Sequence, residues 1–433
     1  MTEVSGRKAE LPWGRSSVLA RYPDFRRLLV GNSISLLGSS VTSVALPLAA
    51  VVYLRATPVQ MGVLGAAALA PHLVLGLPAG VWVDRLSYRR VLVLTDLAQT
   101  LLVGAIPVLA LLGVLSMWHL YVIVLLAGVC NLFETVAAQS YVPSLVPRQK
   151  LLSGNSALMV SNAMVSTTGS ALGSVLVVVF AGPTAIAVDA ASFLLACLCK
   201  LRISTPAPAV TPALLAKPRL VADIRDGLIA VFAHRIIRVV TIASTFGALA
   251  GQMQAVVLVL YMIRDLRLSS GLVGAAVTLA GVAGILCALV AASITRRIGP
   301  GRAYVAGMFI SAIGGLALAS AAGPIPMMCV ILVVAQVLRG AGPSLFGVNQ
   351  QTLRQALIAP GLVARVNATW RFLVYGIQPL GALLGGLLGS IGLRTTLVIG
   401  SVIMLAGTAI AVVSPLWSLR QISAQSYPDS VHD

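Results

Sequence analysis

Long apolar runs dominate this sequence, and each is long enough to cross a lipid bilayer as an α-helix. A membrane-spanning helix needs about 20 mostly apolar residues, whereas barrel strands are shorter and alternate polar with apolar residues. Only 10% of the residues are charged, against about a quarter in a soluble domain. The pattern predicts an all-α integral membrane protein whose twelve spans are residues 27–54, 59–83, 91–113, 118–140, 156–180, 183–201, 238–262, 270–294, 303–322, 325–350, 367–390 and 395–417.

Positive charge is unevenly distributed along the chain, and this predicts how the protein is oriented. The net charge is +18. If both termini are cytoplasmic, the basic residues lie in cytoplasmic segments or at their membrane edges, apart from Arg55, Arg264, Arg267, Arg394 and Arg339. Membrane proteins show this positive-inside bias. Topology thus accounts for the charge, and we expect a lipid bilayer around the protein and no nucleic-acid partner.

One long polar segment, residues 202–236, separates six spans from six. It begins Pro-rich and becomes basic and amphipathic, which predicts a cytoplasmic linker with a helix on the membrane surface. We expect cytoplasmic tails at 1–24 and 418–433 and six-helix bundles at 25–201 and 237–417. No apolar stretch with a cleavage site precedes the first span, so we expect no cleaved signal peptide.

The two halves of the chain match each other at a constant offset of 212 residues. The segment GSALGSVL (169–176) aligns with GALLGGLL (381–388), Gln139 aligns with Gln351, and Arg85 aligns with Arg297. A single offset that holds over so many spans indicates a duplication. Because each half has an even number of spans, the repeats are parallel, and such repeats place a substrate cavity between them near the membrane midplane.

A distinctive motif, GVWVDRLSYRRV, follows the second span. Its glycine permits close helix approach, and its aspartate can pair with arginines or cap a helix N-terminus. The alternative is an ordinary basic turn. The residues in question are Gly80, Asp84, Arg85, Arg89 and Arg90; the second copy of the loop keeps Arg296, Arg297 and Arg302 but has no aspartate.

This motif resembles the inner-loop signature of the major facilitator superfamily, with Ser87 in place of the second glycine. FETVAAQSYVPSLVP, VDAASF and RVNATWRFLVYG look like the enterobactin-exporter-like and macrolide-efflux-like branch. The resemblance implies a secondary transporter, and we expect a monomer in the bacterial cytoplasmic membrane. It implies export of a small amphipathic molecule, such as an antibiotic, siderophore or other secondary metabolite, driven by the proton gradient without a cofactor. It also implies that the motif's aspartate and arginines lock the cytoplasmic gate.

The direction of transport is less well defined, because the antiporter signature of span five has Ser170 after Gly169 where the family has proline. Proton-coupled uptake and lipid or lysolipid flipping therefore stay open as alternatives. Gly169 and Gly173, with Gly381 and Gly385 in the second half, are predicted helix-packing positions.

Ionisable residues inside spans are candidate functional groups, since burying them in a bilayer is unfavourable. Glu134 in span four is the leading candidate for proton coupling, because a carboxyl group facing the cavity can load and release a proton. The alternative is that it pairs with an arginine or reaches the inner interface. Asp96 and His72 are further proton-coupling candidates, each with a structural alternative, and Asp189 is expected to be structural.

Span ten carries Arg339, which we expect either to attract an anionic substrate group or to bond backbone carbonyls near Pro343. Polar residues that are candidates for lining the cavity are Asn32, Ser35, Gln139, Gln252, Gln254, Asn349 and Gln350. No nucleotide-binding P-loop, catalytic cluster or metal-ligand spacing occurs, so we expect no enzyme activity and no metal.

Overall fold

The computed structural model describes residues 21–147, 185–205, 231–358 and 363–419, with isolated positions at 150–165 and 225–229. Most of predicted span five, and most of the linker with its expected helix, lie outside the described residues. The described part is helical, with α1 at Pro23–Leu48, α2 at Pro58–Asp84, α3 at Tyr88–Leu111, α4 at Met117–Leu145, α5 at Ile186–Leu201, α6 at Arg235–Leu260, α7 at Ser270–Ile298, α8 at Pro300–Ala319, α9 at Ile325–Leu357, α10 at Val363–Gly376, α11 at Gln378–Ile391 and α12 at Leu393–Val412.

Within the described residues, ten helical segments are long and apolar enough to cross a membrane. The all-α membrane fold predicted from the apolar runs is therefore confirmed. One span differs from its prediction: residues 367–390 form two helices, which meet at Ile377 just before Pro379. Proline has no backbone N–H to continue the helical hydrogen-bond ladder, so the ladder breaks there.

The repeat seen in the sequence recurs in the backbone at the same offset. The α-helices α1 and α6 both continue into a π-helical turn, Ala49–Tyr53 and Tyr261–Asp265. Two residues after each turn lies an arginine with positive φ, 51° at Arg55 and 52° at Arg267. Positive φ is uncommon outside glycine, so its presence at equivalent positions is strong evidence that the halves share one ancestor.

Helix pairing also repeats between the N half (α1–α5) and the C half (α6–α12). In the N half α5 packs on α1 and α3, and α4 packs on α2 and α3. In the C half α12 packs on α6 and α8, and α9 packs on α7 and α8, which are the equivalent pairs. The halves are thus two copies of one helical arrangement.

The halves meet closely at only one end of the described bundle. We call the end where α1 begins, which carries the 84–88 loop, the basic end. At the opposite end a single hydrophobic core includes residues from both halves, among them Leu48, Ile106, Tyr261 and Leu397. At the basic end, the buried clusters of the described residues each belong to one half.

Glycine allows the close contact between the halves on the side of α2. A Cβ added at Gly62 would lie 2.8 Å from the Cα of Gly386 in α11 and 2.9 Å from the carbonyl oxygen of Ala382. The guanidinium of Arg264 adds a polar link, since it donates to the carbonyl oxygens of Arg55 at 3.3 Å and Ala56 at 2.7 Å. The described halves therefore share a packed core at the opposite end, whereas at the basic end their buried clusters stay separate.

Candidate functional site

Three charged side chains from three helices meet inside the N half. The ammonium of Lys200 (α5) lies 2.9 Å from Oδ1 of Asp96 (α3) and 2.7 Å from Oε1 of Glu134 (α4). Lys200 and Asp96 are 0% exposed and Glu134 is 7% exposed. We call these three residues the acid–lysine triad. If all three are ionised, its net charge is −1, and one added proton makes it neutral.

Neighbouring residues position the side chains of the triad. Gln99 donates to Oε2 of Glu134 at 2.8 Å, and Ser35 donates to Oε1 at 3.3 Å. Gly31 leaves room for the lysine stem, because a Cβ there would lie 3.2 Å from Cγ of Lys200. Oδ2 of Asp96 is buried without a hydrogen-bond partner in the described structure, so one acceptor of the triad is unsatisfied.

The C half has no charged counterpart of the triad. The repeat offset aligns Asp96 with Met308 and Glu134 with Phe346. Met308 is buried in an apolar cluster against which Phe346 packs. The same helical arrangement is therefore filled by apolar side chains in the C half.

The structure corrects the expectation that Glu134 faces the cavity. Its carboxylate points into the N half, toward α3 and α5, and it pairs with a lysine rather than an arginine. Asp96, a proton-coupling candidate with a structural alternative, pairs with the same lysine. Asp189 is also buried, beside α1, where a Cβ on Gly38 would lie 2.6 Å from its Oδ1.

A cavity of about 430 Å³ lies between the halves toward the basic end. One face of α4 and one face of α10 form opposite walls, and α2 contributes a third. Its lining residues are His72, Gly76, Leu132, Thr135, Val136, Gln139, Asn367, Arg371, Phe372 and Tyr375. We call this the basic-end cavity. The triad residue Glu134 lies on the adjacent face of α4, so one helix carries both the charge cluster and a cavity wall.

Two residues predicted as functional candidates line this cavity. His72 is half-buried, and its Nδ1 has no partner in the described structure. Gln139 lies on the α4 wall. Next to the cavity, the ring of the lining residue Tyr375 packs edge to face on Trp370, and the guanidinium carbon of Arg354 lies 3.6 Å from the Trp370 ring centroid.

Arg339 is held inside the C half. It donates to Oε1 of Gln254 at 2.8 Å, and Nε2 of Gln254 donates to Ser401 at 3.0 Å. Among the described residues, no carboxylate lies within salt-bridge distance of this guanidinium. Its role toward substrate stays a prediction.

The remaining predicted lining residues mostly bond within their own half. Ser35 bonds to the triad, Gln350 donates to Ser244, and Asn349 accepts from Thr295 at 2.9 Å. Asn32 and Gln252 are half-buried.

The predicted packing glycines of the C half lie where α11 meets α6. A Cβ on Gly381 or Gly385 would lie 2.7 Å from the Leu249 carbonyl oxygen or 2.6 Å from that of Met253. Gly169 and Gly173 lie outside the described residues.

The inner-loop motif makes contacts within the N half. Arg89 donates to the carbonyl oxygen of Leu201 at 2.6 Å, at the C-terminus of α5. Ser87, the departure from the family pattern, is the N-cap of α3, and its hydroxyl accepts from the Arg90 amide at 3.5 Å. Arg85 is exposed, Gly80 has open space beside it, and the side chain of Asp84 is outside the described structure.

The arginines in the second copy of the loop make different side-chain contacts. Arg296 donates to Ser293 at 3.0 Å, and Arg302 lies 5.5 Å from the ring centroid of Trp417. Arg297 is exposed. The gate role of both loops remains a prediction.

Sequence reasoning missed Lys200 and Arg371, which it assigned to the cytoplasmic membrane edge. A lysine at the end of an apolar run usually reaches the interface by its long stem. The sequence signal for Lys200 is that two acids, Asp96 and Glu134, lie in spans that contain no lysine or arginine to pair with them. For Arg371 it was the match of the neighbouring Asn367 to Asn155 in the first repeat.

Two parallel helical repeats with buried charges and a cavity between them are the arrangement expected of a membrane transporter of the major facilitator type. The chain belongs to the transmembrane secretion effector family of that superfamily, whose profile matches residues 17–431. The family resemblance seen in the motifs is thereby confirmed.

Individual relatives agree with this assignment. The multidrug efflux pump Tap of Mycolicibacterium fortuitum is 26% identical over 402 residues, which cover 90% of this chain and 95% of that protein. The nucleoside transporter NupG has a similar fold, with a TM-score of 0.70, 12% identity and coverage of 89% of this chain and 98% of that chain. A bacterial homologue of the iron transporter ferroportin in an inward-facing state has a TM-score of 0.67 and 16% identity, with coverage of 93% and 100% of the two chains.

Proposed function

We propose that this protein is a proton-coupled exporter of small amphipathic molecules, and that the acid–lysine triad is its proton-coupling site. The observation that carries the proposal is the placement of the triad at positions that are apolar in the other repeat. Buried ion pairs are weak contributors to stability and are often replaceable by apolar residues. A function that needs charge explains their presence better than folding does.

Coupling follows from the charge of the triad and from the two faces of α4. When Glu134 takes up a proton, its attraction to Lys200 weakens, and with it the side-chain link between α4 and α5. Because the adjacent face of α4 forms a wall of the basic-end cavity, a change in that contact alters the cavity. The halves then alternate between opening at the basic end and opening at the opposite end.

Charge distribution and homology support the direction and location of transport. The positive-inside bias supports a cytoplasmic location for the basic end, and we propose that the basic-end cavity receives molecules from inside the cell. The related Tap protein is a multidrug efflux pump. We infer twelve spans with both termini cytoplasmic, a monomer in the bacterial cytoplasmic membrane, and the proton gradient as the energy source.

The test uses bacteria that lack their major efflux pumps. Accumulation of a panel of lipophilic antibiotics and dyes is measured with wild type, Glu134→Gln and the control Asp265→Asn, which changes an exposed acid outside the triad. We expect wild type and the control to lower accumulation, a protonophore to abolish this, and Glu134→Gln to fail at equal membrane abundance. Export that survives the protonophore or Glu134→Gln contradicts the proposal, as does increased accumulation.

A further inference from the structure

The two halves differ in the sign of the charges that their interiors carry. The triad places two acids in the N half. Between residues 237 and 417, in contrast, Asp265 is the only acidic residue in the sequence, and it follows α6 at the end opposite the cavity. The same region carries Arg339, Arg354 and Arg371 within segments long enough to span a membrane. These guanidinium groups lack acids in their own half to balance them.

Arg371 is the member of this group that lines the basic-end cavity. Its side chain is exposed there, and the structure gives it no salt-bridge partner among the described carboxylates. The ten lining residues include no acid. Through its described lining residues, the cavity therefore offers a positive charge together with amide groups on Gln139 and Asn367, and no carboxylate to attract a cation.

Apolar and aromatic side chains define the rest of the occupant. Phe372 and Tyr375 lie on the same wall as Arg371, and Leu132 and Val136 lie on the α4 wall. Aromatic faces and aliphatic side chains suit a flat apolar body, while a guanidinium recognises a carboxylate through paired, charge-assisted hydrogen bonds. A volume of about 430 Å³ is within the usual range for drug-sized ligands.

We propose that the basic-end cavity binds amphipathic molecules that carry an anionic group, such as aromatic carboxylic acids, and that Arg371 pairs with that group. This inference rests on the proposed transport function, because it takes the cavity as the substrate site. It assigns the two tasks to different halves: acids of the N half exchange protons, and an arginine of the C half recognises substrate charge.

Binding to purified protein tests this without any proton gradient. The protein is placed in phosphatidylcholine nanodiscs, and equilibrium dialysis measures 2-naphthoate, 2-naphthamide and 2-naphthylmethylammonium, with empty nanodiscs subtracted. The three probes share one ring system and differ in charge. We expect naphthoate to bind about tenfold more tightly than either of the others, because hydrogen bonds to charged groups are stronger than neutral ones.

Variants identify the residue responsible. Arg371→Gln should remove the preference for naphthoate while binding of the neutral amide persists, which shows that the cavity is intact. Arg371→Lys should keep part of the preference. The control Arg26→Gln, at an exposed arginine in the N half outside the cavity, should behave as wild type. Tightest binding of the ammonium probe, a preference that survives Arg371→Gln, or no binding of any probe overturns the inference.

The outcome is separable from that of the transport proposal. Glu134→Gln should keep the preference for naphthoate over the neutral amide, since Arg371 and the other lining side chains are unchanged, whatever the change in affinity that all three probes share. If that variant binds naphthoate normally and also exports normally, proton coupling through Glu134 is wrong while the anion site stands. If export depends on Glu134 but the probes show no anion preference, only the substrate inference falls.

Discussion

Removal of the lysine from the acid–lysine triad should be far more damaging than removal of all three charges. In Lys200→Met, two carboxyl groups stay buried without their shared cation. At the observed separations of 2.7 and 2.9 Å, each ion pair is worth about 6 kcal/mol at an effective dielectric constant of about 20. Desolvation offsets much of this attraction, and removing one partner of a buried pair typically destabilises a protein by about 3–5 kcal/mol.

The neutral triple variant Asp96→Asn, Glu134→Gln, Lys200→Met should behave differently. It leaves no buried charge, and its amides can still bond to Gln99 and Ser35. Replacing whole buried ion pairs is often neutral or stabilising. We therefore expect the triple variant to unfold within a few degrees of wild type and Lys200→Met to unfold at a clearly lower temperature, although both lose proton-driven transport.

Thermal unfolding of detergent-purified protein, followed by tryptophan fluorescence across a range of pH, checks this prediction. The deficit of Lys200→Met should shrink at low pH, because protonation neutralises the unpaired carboxylates. If Lys200→Met is as stable as wild type at neutral pH, the lysine does not hold two ionised acids. If the triple variant is the less stable protein, the triad is a structural requirement and our reasoning from the apolar second repeat fails.

Three further predictions concern the contacts outside the triad. Arg264→Ala should raise maleimide labelling of a cysteine introduced at the opposite end between the halves, because the variant removes the hydrogen bonds to the α1–α2 loop. The control is Arg394→Ala, whose hydrogen bond stays within the C half. Equal labelling of the two variants would contradict the assignment of Arg264 as a link between the halves. Gly62→Val should likewise raise this labelling, since its Cβ meets the backbone of α11, whereas Gly251→Val, which has open space, should not. Ser87→Ala should cost about 0.5–2 kcal/mol in a denaturation assay and Ser87→Gly only a few tenths; equal losses would show that the hydroxyl is not a cap.

The sequence was sufficient to predict the helical membrane fold, because apolar runs and charge bias report directly on the bilayer. The duplication was also predictable, since residues such as Gln139 and Gln351 preserve a common offset. The break at Ile377 was less accessible: Pro379 indicated a weak point, but transmembrane helices often tolerate proline. Hydropathy alone does not say whether the helix bends or breaks.

Candidate residues were harder to place than helices. The sequence identified Glu134 correctly as a buried charge, but it did not show which way the side chain points. A shift of one residue turns a helical side chain by about 100°. Its neighbour Thr135 lines the cavity, while Glu134 points toward Lys200. Lys200 was missed because its role depends on two acids that are distant in the sequence. Such convergence is set by packing, which a single sequence does not display.

The central claim is that the triad couples protons to transport, and one comparison in proteoliposomes tests it most directly. A compound that wild type exports in cells is followed in two modes: uphill transport driven by an imposed pH gradient, and exchange of labelled for unlabelled compound without any gradient. We expect Glu134→Gln to lose uphill transport and to retain exchange, because substrate can still cross while protons are no longer carried with it. Uphill transport by Glu134→Gln at the wild-type rate, or loss of both modes in a folded protein, would contradict the account.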